Sequence, residues 1–439
     1  MADFETLPSG ELDDRVRVVF KGFETRVFES YTVRLAVLQQ PAVFSVKLGG
    51  VEPPHELFKR YPPGTPFELA IGPQPSFKGY TDGYESSGDA NQGTYVVLMG
   101  RDILARLQDA EFRSDKTFTD VTYADLVYEV MLEAGGLDEA AIISSNESNV
   151  IVRAGVGVTT KPGTPPKPLR EGGGPTPTGS PGADAIAGGV DGAIRSATIG
   201  GKPGTYTVHA RAGEKCLDWL KKHLDKAGVM VWTDTNGDIV VSAPNTDQKP
   251  KYHFVRQRGQ KRNAVNVTSH SFKNDTTKRL SSVIVYGRGP GKKKGKGKIK
   301  GEFVDADMVA MGILKTRTFR DANVFDEPQA VKYAQAKMAE INRASWSLTY
   351  VIEGHTAPVY GDVTKRAVVT VDTMAQIQDD ELGISGLFYI EAVEYTSPPS
   401  TTKITFMRAQ DCFFEKDPTI VEQVESTKAA KKRRRRKKS

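Results

Sequence analysis

Apolar and polar positions alternate at period two through the first hundred residues. Val16, Val18 and Phe20 face one way, against Arg15, Arg17 and Val19. Tyr31, Val33, Leu35 and Val37 repeat the pattern, then Phe44, Val46 and Leu48, then Phe67, Leu69 and Ile71, and last Tyr95, Val97 and Met99. Gly and Pro clusters (Gly49-Gly50, Pro53-Pro54, Pro62-Pro63-Gly64) punctuate the runs. Short alternating runs at this spacing predict an antiparallel barrel or sandwich.

After Gly100-Arg101-Asp102 the period changes. Leu126, Val127, Val130 and Met131 form a helical stripe with Thr122 as its N-cap and Gly135-Gly136 as its stop. Residues 155–204 then lose complexity: 22 of the 50 are Gly or Pro and none is aromatic, so too little surface is buried to offset ordering entropy. From Tyr206 a short strand (Tyr206, Val208) leads through Ala212-Gly213 into a helix with Cys216, Leu217, Leu220, Leu224 and Ala227 on one face, stopped by Gly228. Met230-Val231-Trp232 and Ile239-Val240-Val241 flank Asn236-Gly237, the signature of a hairpin.

A polar strand near Asn266–Asn274 and an apolar one at Val283–Tyr286 follow. A second helix takes Asp326 as N-cap and Pro328 in its first turn, with Val331, Ala334, Met338 and Ile341 as its stripe. Trp346, Leu348, Tyr350 and Ile352 then alternate with Ser347, Thr349 and Val351, and further strands are expected at Val368–Val371, Leu387–Tyr395 and Thr402–Met407. The fold class that results is α+β and β-rich, with two antiparallel barrel or sandwich modules joined by a smaller α/β connector. Their bounds are 12–100, 101–258 (interrupted by the disordered 155–204 insertion) and 259–414 with an internal helix at 327–344. A disordered basic tail, 415–439, closes the chain.

Charge changes the picture. The formal net charge is +6, yet two clusters hold sixteen cations: nine within 428–439 and seven within 288–300. Without them the remainder is about −10, an acidic body with two basic appendages. Lys431, Lys432, Arg433, Arg434, Arg435, Arg436, Lys437 and Lys438 are eight consecutive cations, with Lys292, Lys293 and Lys294 in the other cluster. Such runs repel themselves and attract polyanions by counterion release, or act simply as solubilising segments. No aromatic residue interleaves the terminal run, so base stacking is not indicated and nucleic-acid contact there would be blind to sequence.

Chemistry is sparse. The histidines His55, His209, His223, His253, His270 and His355 match no metal-ligand spacing. Asp234, Asn236 and Asp238 open like a calcium loop, but Ile239 stands where its glycine belongs and Asn245 where its bidentate Glu belongs. Gly287 to Gly297 contain no phosphate-loop pattern, and a G-x-S-x-G elbow is missing. Asn146, Asn266 and Asn274 match the glycosylation triplet, but the acidic N-terminus lacks a secretory core, so these are chance matches. Cys216 and Cys412 lie far apart, and a buried thiol on a helix face is the expectation for Cys216. No catalytic residue, metal or cofactor is expected. No run of eighteen apolar residues exists, so no membrane insertion is expected either.

The order of elements resembles the baseplate hub proteins of contractile phage tails, particularly the Mu-like type, over roughly residues 12–414. Three places carry the likeness. They are Tyr95–Leu107 around Gly100-Arg101-Asp102, Tyr206–Val241 with its Trp232, Asp234 and Gly237 hairpin, and Ala330–Cys412 ending in Thr405-Phe406-Met407. The resemblance implies two tail-tube-like modules per chain and a homotrimer that adapts the sixfold tail tube to a threefold central spike. Related hubs occur in type VI secretion spikes, where the spike is fused. Here it would be a separate trimeric protein. Other implied partners are the tail-tube protein, further baseplate proteins and the tape-measure protein, in a virion assembled in the host cytoplasm. An acidic body suits a conduit through which DNA slides. The insertion, the lysine loop and the cationic tail depart from the family pattern. Other readings are a sequence-independent nucleic-acid-binding tail protein and a tail-associated cell-wall hydrolase.

Overall fold

The computed structural model describes residues 16–135, 150–152, 206–224, 230–257, 267–287, 299–320 and 327–412, apart from one to three positions at a few turns. All five alternating runs of the first hundred residues form strands, and Val18, Phe20, Val33, Phe44, Val46, Phe67 and Leu69 are nearly or completely buried. The last run is corrected by one position: Val96 and Leu98 are buried while Met99 is 39% exposed. Phe44 stacks on Phe67 at 3.8 Å between ring centroids. Three short or polar elements were not anticipated: Phe23–Thr25, the 16-residue strand Gln74–Asp89, and the helix Pro54–Arg60.

The strands of this half do not close on themselves. They run antiparallel in the order 23–25, 16–20, 66–71, 74–89, 93–101, 43–48, 30–36, and the last is hydrogen-bonded to Ile384–Ser397 of the C-terminal half. One mixed sheet of fifteen strands results. Its C-terminal part continues through Thr373–Asp379, Tyr252–Arg256, Thr356–Val359 and Asp362–Val368 on one side. On the other lie Thr401–Arg408, Trp346–Glu353 and Ser269–Asn274. The expectation of purely antiparallel pairing is corrected, because Tyr252–Arg256 runs parallel to Thr373–Asp379. Tyr252–Arg256 belongs to this sheet although it precedes residue 259.

Ile384–Ser397 is the splice between the halves. Along one edge its first part pairs with Thr373–Asp379 and its second with Ser30–Ala36. The changeover is a bulge at Glu391. There the Asp372 amide donates to the Ile390 carbonyl (3.0 Å) and the Val37 amide to the next carbonyl, Glu391 (2.9 Å). A single apolar core accordingly runs from Phe20 and Phe44 through Tyr31 to Tyr350, Tyr395 and Phe406.

A second core holds Leu104, Phe112, Leu126, Val130, Leu217 and Leu220. The helices Tyr123–Gly135 and Cys216–Leu224 stand where the apolar stripes predict them. Trp219 is buried too, its indole N–H donating to the His209 carbonyl at 3.1 Å. Tyr206–Ala210 pairs with Lys116–Val121, and Val150–Val152 lies parallel to Ile239–Ser242. The expected hairpin, Met230–Thr233 with Ile239–Ser242, is buried on both faces, as an unbroken apolar run requires. Met230, Trp232 and Val240 enter the large core while Val231, Ile239 and Val241 enter this one. The hairpin is therefore the wall between them.

A small sheet of Lys300–Val304, Ser282–Tyr286 and Thr316–Arg320 packs on the helix Glu327–Ser345. Gly301 lets the two approach closely, since a Cβ there would sit 2.2 Å from the Ala330 carbonyl carbon. The buried stripe of that helix is Ala330, Ala334 and Met338, with Ile341 partly buried. Val331 is 37% exposed, a correction of one position. Strand structure is also absent at 369–371, where the chain leaves Asp362–Val368. The caps expected at Thr122 and Asp326, the stop at Gly228, the 155–204 insertion and Asn266 lie outside the described residues.

Candidate functional site

Every cation expected to meet polyanions, Lys292–Lys294 and Lys431–Lys438, lies outside the described residues. Among the described residues no group of three His, Cys, Asp or Glu side chains could hold a metal ion. The calcium-like start is a hairpin turn. Asp234 Oδ1 accepts from the amides of Asn236 (2.8 Å) and Asp238 (3.0 Å), and Gly237 takes φ +79°.

What the described residues do present is exposed strand edges and apolar surface. All six residues of Ser269–Asn274 are exposed, and this strand pairs only with Trp346–Glu353 among the described residues. His270 and Phe272 stand opposite Tyr350 and Leu348, which are fully buried. The layer covering those two stops short of the outer strand. Asp362–Val368 ends the sheet on another side, with Tyr360 47% and Val363 66% exposed. At the small sheet Val304, Val309, Met311 and Leu314 are exposed, Leu314 at 83%. Exposed apolar side chains thus lie beside strands that have a neighbour on one side only among the described residues.

Three buried polar joints hold the parts in register behind these surfaces. The first links the halves. Tyr31 Oη lies 2.5 Å from His355 Nε2, and His355 Nδ1 lies 2.9 Å from Thr402 Oγ1, which donates to the Gly354 carbonyl at 2.7 Å. Burial raises the Tyr31 pKa, so the phenol keeps its proton and donates. His355 then accepts at Nε2 and carries its proton on Nδ1.

The second joint ties the small sheet, the long helix and the sheet's end together. Arg279, 1% exposed, donates to Asp305 (2.6 Å) and Asn274 (3.1 Å), and Asn342 donates to Asp305 at 3.2 Å. Asp305 also caps the helix Ala306–Ala310. Burial works to raise its pKa, but Arg279, the Met308 amide and Asn342 outweigh that and hold it low. Arg408 bridges Asp411 (2.6 Å) and Asp307 (3.0 Å). A cavity of about 340 Å³ beside this joint is lined by Leu38, Arg343, Trp346, Glu391, Met407 and Asp411 among others. Burial raises the Glu391 carboxyl against the pull of Arg34 and Arg343, and raises Asp411 against Arg408.

The third joint is centred on Asp102, 1% exposed. Its Oδ2 accepts from the Ala42 amide (2.9 Å) and the Thr233 hydroxyl (2.6 Å), and its Oδ1 from the Leu104 amide (3.0 Å). Gly100 before it must lack a side chain, since a Cβ would lie 1.9 Å from the Tyr80 carbonyl oxygen. Arg101 turns outward to Asp82 (2.5 Å) and Asp109 (2.6 Å). The sequence marks Gly100-Arg101-Asp102 as a boundary. It gives no sign that Asp102 is buried, because two of its partners come from residues 42 and 233.

No protein-family model matches the chain, and no curated protein matches it in sequence. Solved structures do. A tail protein from Neisseria meningitidis MC58 superposes with a TM-score of 0.62 at 16% identity, covering 92% of this chain and 98% of the other. The 43 kDa tail protein of prophage MuSo2 from Shewanella oneidensis gives 0.60 at 15%, covering 90% and 99%. The chain shares the fold of these two tail proteins over almost its whole length.

Proposed function

We propose that the chain is a structural baseplate hub of a contractile phage tail or a related injection system, a homotrimer adapting a sixfold tail tube to a threefold spike. The observation that carries this reading is the end-to-end fold match, 92% of this chain against 98% of a tail protein. In this reading the halves at 12–100 and 259–414 act as two tube-like modules, and 101–258 connects them. Three chains then offer six quasi-equivalent modules.

The physical demand on such a part is static, and the structure suits it. One sheet and one core run through both halves, and buried polar joints fix the attached pieces. The exposed edge Ser269–Asn274 and the apolar surface at Val309, Met311 and Leu314 are liabilities in a lone subunit, and subunit or partner contact would cover them. Proposed neighbours are the tube protein, a separate trimeric spike, other baseplate proteins and the tape-measure protein, with DNA touched without sequence preference through Lys431–Lys438 and Lys292–Lys294. The role needs no catalysis.

Mass photometry of the purified protein tests the reading. A species near three times the 47.9 kDa subunit is expected. A subunit that stays alone at about micromolar concentration, where a specific oligomer interface holds, would overturn it.

A further inference from the structure

Asp102 joins three segments distant in sequence. Its carboxylate is held by the amide of Ala42 at the rim of the N-terminal sheet, by the Leu104 amide at the start of the connector, and by the Thr233 hydroxyl on the hairpin. All three donors are neutral. The charged residues next to these donors along the connector and hairpin are engaged elsewhere. Arg101 reaches Asp82 and Asp109, Arg106 lies over the Tyr80 ring, and Asp234, with Asp238 beside it, serves its own turn. A cleft of about 200 Å³ opens beside the neighbouring Ile103, between Ile103 and Gly237 on the connector side and Val19, Phe67 and Tyr80 on the sheet side. Its charged lining is Lys21, Glu68 and Lys78, with Lys78 3.6 Å from Glu68. Asp102 thus sits where two bodies meet, one residue from the lining of that cleft and itself buried.

Two effects oppose each other at this carboxylate. Donors aimed at it favour the charged form, and complete burial without a cation disfavours it. Burial wins, and the Asp102 pKa is pushed up to about 6. The neutral form also has a place for its proton. Oδ2–H can donate to Thr233 Oγ1 by reversing that bond, while the Ala42 and Leu104 amides keep their acceptors.

We propose that the contact between the connector hairpin and the N-terminal sheet is a proton-linked joint, tightened when Asp102 takes up a proton and biased toward opening when Asp102 is ionised. An ionised carboxylate gains most from separation of the two walls, because water then reaches it. The sign follows from linkage. A folded-state pKa raised above the unfolded value means that the folded joint binds the proton more tightly, so its stability grows as pH falls from above the folded pKa toward the unfolded one. A two-unit shift corresponds to roughly a hundredfold change in the opening equilibrium at most.

The test is amide hydrogen exchange of the full chain at about pH 5 and about pH 7.5, corrected for intrinsic rates, in wild type, Asp102→Asn and Thr233→Val. The amides of Ala42 and Leu104 and of the hairpin should be about tenfold better protected at the lower pH in wild type. Asp102→Asn should abolish that difference, and Thr233→Val, which removes a donor that favours the charged form, should enlarge it by raising the Asp102 pKa further. Glu391 and Asp411 also have raised pKa values, but they lie beside a different cavity, so the local amides isolate Asp102. Equal protection of these amides in wild type at both pH values would overturn the proposal. So would a pH dependence that persists unchanged in either variant.

Discussion

Replacing Tyr31 by Phe tests whether the buried Tyr31–His355–Thr402 chain locks the two halves of the sheet together. The substitution keeps the ring, and with it the contacts to Phe28 (5.6 Å) and to the His355 ring (5.9 Å), so no cavity forms. What disappears is the donor to His355 Nε2, on a residue 2% exposed. Removing one partner of a buried polar group costs roughly 1–3 kcal/mol. At 1.4 kcal/mol per decade that is roughly a 5- to 150-fold rise in opening of this seam. The assay pairs urea unfolding midpoints with amide exchange of Ser30–Ala36 against residues 392–397, where the strands meet. A double-mutant cycle with His355→Leu isolates the bond. In wild type that change strips the phenol of its acceptor, while in the Tyr31→Phe background it removes a nitrogen that has already lost its donor. The two substitutions should therefore couple by about 1–2 kcal/mol. A coupling within about 0.3 kcal/mol of zero, or unchanged exchange across the seam, would refute the reasoning.

Other outcomes follow from the same structure. Gly100→Ala places a methyl group 1.9 Å from the Tyr80 carbonyl and 2.5 Å from the Phe44 ring, so it should destabilise the chain by about 2 kcal/mol or more, read as a lower thermal midpoint. Asp305→Ala strips a helix of its cap and leaves the buried Arg279 without its closest carboxylate, with an expected loss of about 3–5 kcal/mol in urea unfolding. Burial pushes the Cys216 thiol up to about 11 and raises Cys412 further, so both should resist iodoacetamide at about pH 8 in the folded chain and react once it is unfolded. Deleting 428–439 should weaken salt-sensitive retention on DNA; retention unchanged by the deletion would count against the tail as its source.

Much of the fold could be read from residue pattern because one face of most strands is buried. Trp346, Leu348, Tyr350 and Ile352 alternate with half-exposed neighbours and form the strand they predict. The hairpin at Trp232 and the helix at Leu217 were equally legible, one from its turn residues and the other from its stripe. Gln74–Asp89 was not. It is rich in Gly, Ser and Asp, and it becomes a strand because it lies between Pro66–Ile71 and Gly93–Arg101, whose ladders supply the pairing its own propensity lacks. The merging of both halves into one sheet was also invisible, because it depends on Ser30–Ala36 meeting residues 392–397 across the length of the chain. Asp102 and His355 read as isolated polar residues for the same reason. Their partners are 131 and 324 positions away. The exposed strand Ser269–Asn274 was legible as polar, but its lack of a covering layer is a property of its surroundings.

The splice strand Ile384–Ser397 has a mechanical consequence. Antiparallel hydrogen bonds lie across the strand direction. A pull that drags Ser30–Ala36 lengthwise past residues 392–397 therefore loads the whole ladder at once, in shear, and no bond can be peeled before its neighbours. Tension entering one half is shared by the entire row before it reaches the other. Such a connection gives way only when many bonds fail together.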